Sequence, residues 1–467
     1  MSIIATNNNY MMHQKINFSN EKKEKYGEIL TPYVLINNMF NLLNHCDFSN
    51  PSTKWLDPGA GTGFFSIFLF YKLDDGLIDV IYDVEERRNH IIENMIYMVE
   101  IQNDNVKELR NIFGVKANIF NIDFITETND ISNIEFDYVI GNPPYNSNGV
   151  KKVPTNKNKN KKNDGKTIWF EFIKISLMLL KPNGKLIMIV PSIWMKPDKL
   201  NIYYFMCRHK IHKIHSLSNT ETNKIFNGNA QTPTCYFLLE NKINVNHNII
   251  NIFDNDRSKY IPYTITNNYP IPLFGISIVN KFMKYIDKFG CLQVLKTNMP
   301  GKHIKLSANK NETYSYENIN SAKLDKFSNK PILDIKYSNG PCKYNKVKKL
   351  ILPHKMYGFP YLDREGKYGI CNRDNYVILN NNIDNLNIIK EFLSTKTALY
   401  IYETTRYRMK YLEKYAFEFI PNIINISDFV IKRPITDETI GEFFGLDSYD
   451  IININKLHKK NYNFEYD

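Results

Sequence analysis

The run Phe136-Asp137-Tyr138-Val139-Ile140-Gly141, halted at Asn142-Pro143-Pro144-Tyr145, limits what this chain can fold into more than any other segment. Such an apolar run ending at a turn glycine reads as a buried strand of a parallel sheet. Open α/β sheets collect ligands outside the carboxyl ends of their strands, which places the tetrapeptide where a substrate would lie. Its chemistry suits an amino group. Paired prolines fix φ near about −65° and hold the preceding residues extended, so the Asn142 amide and the Pro143 carbonyl are stationary acceptors. An exocyclic NH2 offers two donors to such acceptors, and Tyr145 offers a flat face to the ring that carries it.

A second motif lies upstream. Leu56-Asp57-Pro58-Gly59-Ala60-Gly61-Thr62-Gly63 falls between a short strand around Trp55-Leu56 and an apolar run, Phe64 to Phe70, that opens a helix. A strand, a glycine turn and a helix start let a ligand touch backbone and leave N–H groups free. No Gly-Lys-Ser/Thr follows, and the glycine spacing departs from Gly-x-Gly-x-x-Gly, so neither a phosphate loop nor a dinucleotide turn is indicated.

Together these motifs resemble the S-adenosylmethionine-dependent amino methyltransferases of DNA, adenine-N6 type with gamma motif order, which include type II and IIG restriction–modification enzymes. The resemblance implies a Rossmann-like class I α/β catalytic domain, a C-terminal α+β target-recognition domain, and S-adenosyl-L-methionine as cofactor. It extends to further segments. Gly27 to Pro32 resembles a motif that closes over the methionine end of the cofactor through Thr31 and Pro32. Tyr97 to Ile101 resembles a second strand ending in a ribose-binding acid, here Glu100, although Val99 stands where the family carries glycine. Asp83 is a rival for that contact. Asp123-Phe124 resembles the third-strand motif that meets the adenine of the cofactor, and Pro182 to Pro191 the fifth-strand block. Phe226, ahead of the strand 234–239, stands where the family covers the second face of the target base. By the same likeness Asp57 faces the methionine ammonium, Gly59, Gly61 and Gly63 form the cofactor turn, and Asn142 borders it.

Length and charge suit this reading. At 467 residues the chain allows two or three full-sized cores, and its net charge of +12 suits a polyanion such as double-stranded DNA. Much of the excess is Lys among many Asn, Ile and Tyr, as an A/T-rich genome would also give. Six scattered cysteines without a Cys-x-x-Cys pair argue for a reducing compartment and against a zinc cluster. Cys207, His209, His212 and His215 fit a short helix or strand better than a metal site, because Ile211, Ile214 and Leu217 alternate with them. Nothing resembles a signal peptide or a membrane span. The expectation is a soluble, intracellular monomer, in a prokaryote or a virus-infected host, that needs no metal for methyl transfer.

Along the chain, residues 1–20 read as an arm, 21–242 as the catalytic domain and 243–467 as the recognition domain. Directly after Tyr145, residues 151–166 form a basic low-complexity loop in which Lys151, Lys152, Lys157, Lys159, Lys161 and Lys162 would neutralise phosphates. Lys348, Lys349, Lys355, Arg364 and Arg373 are candidate DNA contacts in a hairpin, Lys348 to Tyr376, turning at 363–367. Asp363, Glu365 and Lys367 mimic a nuclease motif, but a charged glycine turn accounts for them. With little chain before Gly27, a stand-alone methyltransferase is expected. The chemistry implied is direct transfer to N6 of a flipped adenine held by Asn142, Pro143, Pro144 and Tyr145, with Phe226 beyond. RNA base or protein glutamine methylation by the same tetrapeptide, cytosine N4 as target, and a DNA-binding protein without catalysis remain alternatives.

Overall fold

The computed structural model describes residues 30–147, 167–228, 230, 232–243, 248–266, 269–324, 331–354, 360–408 and 412–456. Two units make up the chain: 1–253 with 264–266, and 254–263 with 267–467.

The first unit is built on one sheet. Its parallel part comprises β1 (Trp55–Asp57), β2 (Ile96–Val99), β3 (Asn118–Phe120), β4 (Phe136–Gly141) and β5 (Leu180–Pro191), in the spatial order β3-β2-β1-β4-β5. β6 (His209–Leu217) and β7 (Thr234–Ile243) extend it, with β7 antiparallel to both β5 and β6. The sheet runs on past residue 242, since β8 (Asn248–Asp254) pairs parallel with β6 through Lys213↔Asn251 to His215↔Phe253. β9 (Lys259–Ile265) carries residues of both units.

The helices of this unit are α1 (Tyr33–Phe40), α2 (Phe64–Gly76), α3 (Val84–His90), α4 (Asn103–Phe113), α5 (Trp169–Leu179), α6 (Ile202–Cys207) and α7 (Asn219–Ile225). β1 is buried along its whole length, and its neighbours β2 and β4 lie on opposite sides of it. The chain therefore winds outward in both directions from β1 and β4, and the crevice beyond their carboxyl ends is the switch point where such sheets take ligands. Trp55 stacks on Tyr138 with ring centroids 3.8 Å apart and on Phe48 at 5.4 Å, which fixes β1 against β4. The Tyr138 hydroxyl donates to Asp47 at 2.6 Å, and Lys185 also pairs with Asp47. No helix among the described residues is long and apolar enough to cross a membrane.

In the second unit the small strands are β10 (Leu295–Lys296), β11 (Leu306–Ser307), β12 (Tyr316–Leu324), β13 (Pro331–Ser338), β14 (Lys349–Pro353), β15 (Tyr361–Asp363), β16 (Gly369–Ile370) and β17 (Asn375–Leu379). They form two four-stranded sheets, ordered β10-β17-β14-β15 and β11-β13-β12-β16. Ile319, Ile351, Ile370 and Val377 join them in one buried cluster that half-buried Leu333, Ile335, Tyr344, Tyr361 and Tyr368 cover. The longest helices described here are Ile276–Phe289 and Ile383–Leu393, followed by Lys396–Thr404 and Ser448–Lys456.

Candidate active site

Two loops at the switch point converge. The first leaves β1 at Asp57 and enters α2 through Gly63, whose φ of 91° and whose approach to Leu109 (2.7 Å from a would-be Cβ) both exclude a side chain. Ala60 N–H donates to the Val99 carbonyl at 2.9 Å, which ties the turn to the end of β2. Asp57 is buried, 1% exposed, and accepts from Ser66 Oγ at 3.0 Å and from Gly59 N–H at 3.4 Å. Burial pushes its carboxyl up to about 7 against those two bonds, and the nearby Glu100 charge adds to the rise. Gly141 passes beneath it: a Cβ there would sit 3.4 Å from both Asp57 Oδ1 and Pro58.

Glu100 follows β2 immediately and is 5% exposed. Its two oxygens accept from Gly61 N–H and from Gln102 N–H, both at 2.7 Å, so one carboxylate braces the glycine turn and the start of α4 together. Asp83 is placed differently. It caps α3, accepting from Glu86 N–H at 2.7 Å on an exposed surface. Asp123 is half-buried beyond β3 and accepts from Ile125 N–H through Oδ1 at 2.8 Å. Phe124, buried beside it, packs on Phe172 with centroids 5.1 Å apart, and Phe172 in turn lies 3.9 Å from the Cβ position of Gly59.

The second loop is Asn142 to Tyr145, at the end of β4. Asn142 donates from Nδ2 to Oγ1 of buried Thr31 at 3.0 Å, which leaves its Oδ1 turned away as an acceptor. Pro32 caps α1 through its carbonyl, which receives Leu35 N–H at 2.9 Å. Pro143 is buried, Pro144 and Tyr145 are half-buried, and Ile168 N–H donates to the Tyr145 carbonyl at 3.2 Å. The Tyr145 hydroxyl is itself buried and has no hydrogen-bond partner among the described residues, and burial raises its pKa well above the ordinary phenol range. Phe226 caps the end of α7 with 3% of its surface exposed, so it stands as a core side chain rather than as an open face.

Thr31 and Asn142 are thus bonded to each other, Asp57 and Glu100 are bonded to the glycine turn, and the two loops approach where Gly141 passes Asp57 and Pro58. Residues 27–29, the lysines of 151–166 and Lys355 lie outside the described residues. In the second unit Lys348, Arg364 and Arg373 are exposed, as a DNA contact requires. Lys349 is not: its ammonium is fully buried and paired with Asp363 at 2.5 Å, because the two residues face each other across β14 and β15. That same pairing moves the hairpin reversal out of 363–367. β14 and β15 pair antiparallel from Lys349↔Asp363 to Ile351↔Tyr361, so 363–367 does not join them, and Asp363 to Gly366 forms a separate turn leading to β16. Of the Cys207 to His215 segment, Cys207 ends α6 and the three histidines lie on β6, with His212 on Glu240 at 2.7 Å and His215 on the Tyr236 hydroxyl at 2.6 Å. Ser66 was not singled out in the sequence, although a lone serine inside Phe64 to Phe70 was the available signal.

Comparison with known proteins bears on this crevice. Residues 66–226 match the Eco57I restriction-modification methylase family. The matched segment begins on α2 and ends at Phe226, spanning Glu100, Asp123 and the Asn142 to Tyr145 loop. An uncharacterized adenine-specific methylase of Mycoplasma pneumoniae is 33% identical over 75 residues, which are 15% of this chain and 18% of that one. Among solved structures, a modification subunit of a putative type I restriction enzyme from Vibrio vulnificus is 15% identical, covers 53% of this chain and 50% of its own, and superposes with a TM-score of 0.36. The type IIL restriction-modification enzyme MmeI, solved in complex with DNA, is 11% identical, covers 96% of this chain and 78% of its own, and gives a TM-score of 0.48. The chain thus spans about half the length of the first of these structures and under a fifth of the curated methylase.

Proposed function

We propose that the chain is a site-specific DNA methyltransferase that moves a methyl group from S-adenosyl-L-methionine to N6 of an adenine flipped out of double-stranded DNA. The observation that carries this reading is the Asn142 carboxamide, oriented by Thr31 so that Oδ1 accepts beside a glycine turn and a buried acid. The restriction-modification methylase match over the same residues supports it.

The donor set fits the cofactor. Asp57 is an uncompensated buried acid suited to an ammonium, Glu100 has a paired carboxylate at the end of β2 suited to a diol, and Asp123 has an oxygen beyond its turn bond for an amine. When bound, S-adenosyl-L-methionine would supply an electrophilic methyl group. The chain's own part is to hold and to stabilise charge. Asn142 Oδ1 and the Pro143 carbonyl would accept from the target NH2 and stabilise the positive charge that grows on N6, after which the amine releases a proton without a strong base. Extracting the base costs a few kcal/mol, which stacking on Tyr145 offsets in part.

The test is expression in a host lacking adenine methylation, with nucleoside mass spectrometry and modification-sensitive sequencing of its DNA. N6-methyladenine in one sequence context is the expected result, and unmodified DNA from a cofactor-binding protein would defeat the reading.

Two further outcomes follow from the site. Tyr145→Phe removes a hydroxyl that is buried without a partner, so thermal unfolding should show no loss of stability and a gain of up to about 1 kcal/mol, with most activity retained. Tyr145→Ala should lose activity, and a Tyr145→Phe variant as inactive as the alanine would reject stacking as the role.

Asp57 gives a pH dependence. Its folded-state value is raised to about 7, so its contribution to stability is complete below the unfolded value near 3.8 and is lost as pH rises through about 7. A cofactor ammonium favours the ionised form. Cofactor affinity, measured by calorimetry, should therefore strengthen as pH rises towards about 7, by up to roughly tenfold per unit, while the ammonium stays protonated. Asp57→Asn should flatten that slope, and an unchanged slope would remove Asp57 from the ammonium site.

A further inference from the structure

The second unit holds a group of cations that no acid among the described residues neutralises. Lys302, Lys305, Lys343, Lys346 and Lys348 are exposed, and none of them forms an ion pair among the described residues. By contrast, Lys310 and Lys367 of the same unit both pair with Glu317 at 3.0 Å.

These five come from two segments that the fold locks together. Leu306 faces Ser338 across β11 and β13, and just outside that pair Lys305 N–H donates to Asn339 Oδ1 at 2.8 Å while Asn339 N–H returns to the Lys305 carbonyl at 3.3 Å. The following turn, Gly340 to Lys348, is held in an unusual conformation. Tyr344 and Lys346, neither of them glycine, have φ of 67° and 59°. Bulky residues leave that region unless the surroundings fix them there, and such positions cluster where a backbone is set up for a ligand. Here the surroundings are specific. Lys346 N–H donates to the Gly366 carbonyl at 2.9 Å, Ile370 N–H donates to the Lys343 carbonyl at 3.0 Å, and Tyr344 packs on the Ile319, Ile351, Ile370 and Val377 cluster. The Lys343 ammonium lies 5.0 Å over the Tyr344 ring, so its stem is fixed as well.

We infer that this rigid turn, with Lys302 and Lys305 beside it, is a phosphate-binding element that seats the sugar–phosphate backbone of duplex DNA without reading its bases. The inference rests on the proposed DNA methyltransferase function. Residue type supports backbone contact over base contact. Lysine is a compact point charge, whereas base edges are read by planar bidentate groups such as arginine, and the five cations include none. Lysines on a fixed loop lose less freedom on meeting closely spaced phosphates than lysines on a mobile one.

The test uses the full chain and a fluorescein-labelled duplex bearing the wild-type methylation sequence, with binding followed by anisotropy across about 50 to 300 mM salt. The triple variant Lys343→Ala, Lys346→Ala, Lys348→Ala should bind on the order of 100-fold more weakly at physiological salt, with a log–log salt slope shallower by about 2 to 3. Its methylated sequence context should be that of the wild type. Lys310→Ala with Lys367→Ala should leave the slope unchanged. A triple variant with the wild-type slope, or with altered sequence preference at unaltered slope, would overturn the inference. A wild-type protein that binds no DNA would instead reject the functional reading beneath it.

Discussion

Asn142→Ala is expected to lower methyl transfer by at least about 100-fold while cofactor affinity stays within a few-fold of the wild type. The magnitude follows from loss of one preorganised group at the point where charge develops, which typically costs about 100- to 1,000-fold in turnover. The selectivity follows from geometry. Asn142 reaches Thr31 across 111 residues of sequence, but the bonds that shape the glycine turn run instead from Glu100 to Gly61 and from Val99 to Ala60. Alanine at 142 thus leaves that turn intact. Some stability should go with the amide, because buried Thr31 loses its donor, at a cost of about 1 kcal/mol. Single-turnover transfer and calorimetric titration on the same preparation separate the two effects. Parallel loss of transfer and cofactor binding would place Asn142 in the cofactor site rather than against the target amine.

What could be read in the chain beforehand was what local sequence determines. β4 and its proline stop, the glycine turn into α2, and a second strand over Tyr97 to Ile101, which the fold sets at Ile96–Val99, all rest on apolar patterning punctuated by Gly and Pro within a few residues. The same patterning identified Glu100 as a residue at a strand end but gave no hint that its oxygens are already engaged by Gly61 and Gln102. Contacts between distant segments depend on register, which a single sequence does not supply. Lys349 shows the consequence. In sequence it sits in a basic stretch beside Lys348, yet strand pairing sets it opposite Asp363, inside the protein, where an unpaired ammonium could not remain charged. Residues 363–366 do turn, with Gly366 at a φ of 68°, but that turn follows β15 rather than joining it to β14. Turn composition marked a turn correctly and could not say which strands it joins.

Glu100→Ala is expected to be the most damaging single change in the first unit. The carboxylate is 5% exposed and is the acceptor for two backbone N–H groups, each at 2.7 Å. Alanine leaves Gly61 and Gln102 N–H without that acceptor, and each buried unsatisfied donor costs roughly 1–3 kcal/mol. A combined loss of about 3 kcal/mol corresponds to a fall in Tm of roughly 6–12 °C for a unit of this size. Function should suffer beyond stability, because Gly61 is freed to move in the turn where the cofactor is proposed to lie. Glu100→Gln makes a graded comparison: one oxygen still accepts, while the new NH2 confronts an N–H that has no acceptor to offer it. It should therefore fall between alanine and wild type in both Tm and cofactor affinity. Asp83→Ala is the control that separates the two acids. Asp83 caps α3 on the surface, so its loss should cost about 1 kcal/mol and leave cofactor affinity unchanged. Cofactor binding that survives Glu100→Ala but fails in Asp83→Ala would transfer the ribose contact to Asp83, because Glu100 is the acid bonded to the glycine turn and Asp83 is bonded, among the described residues, only within its own helix start.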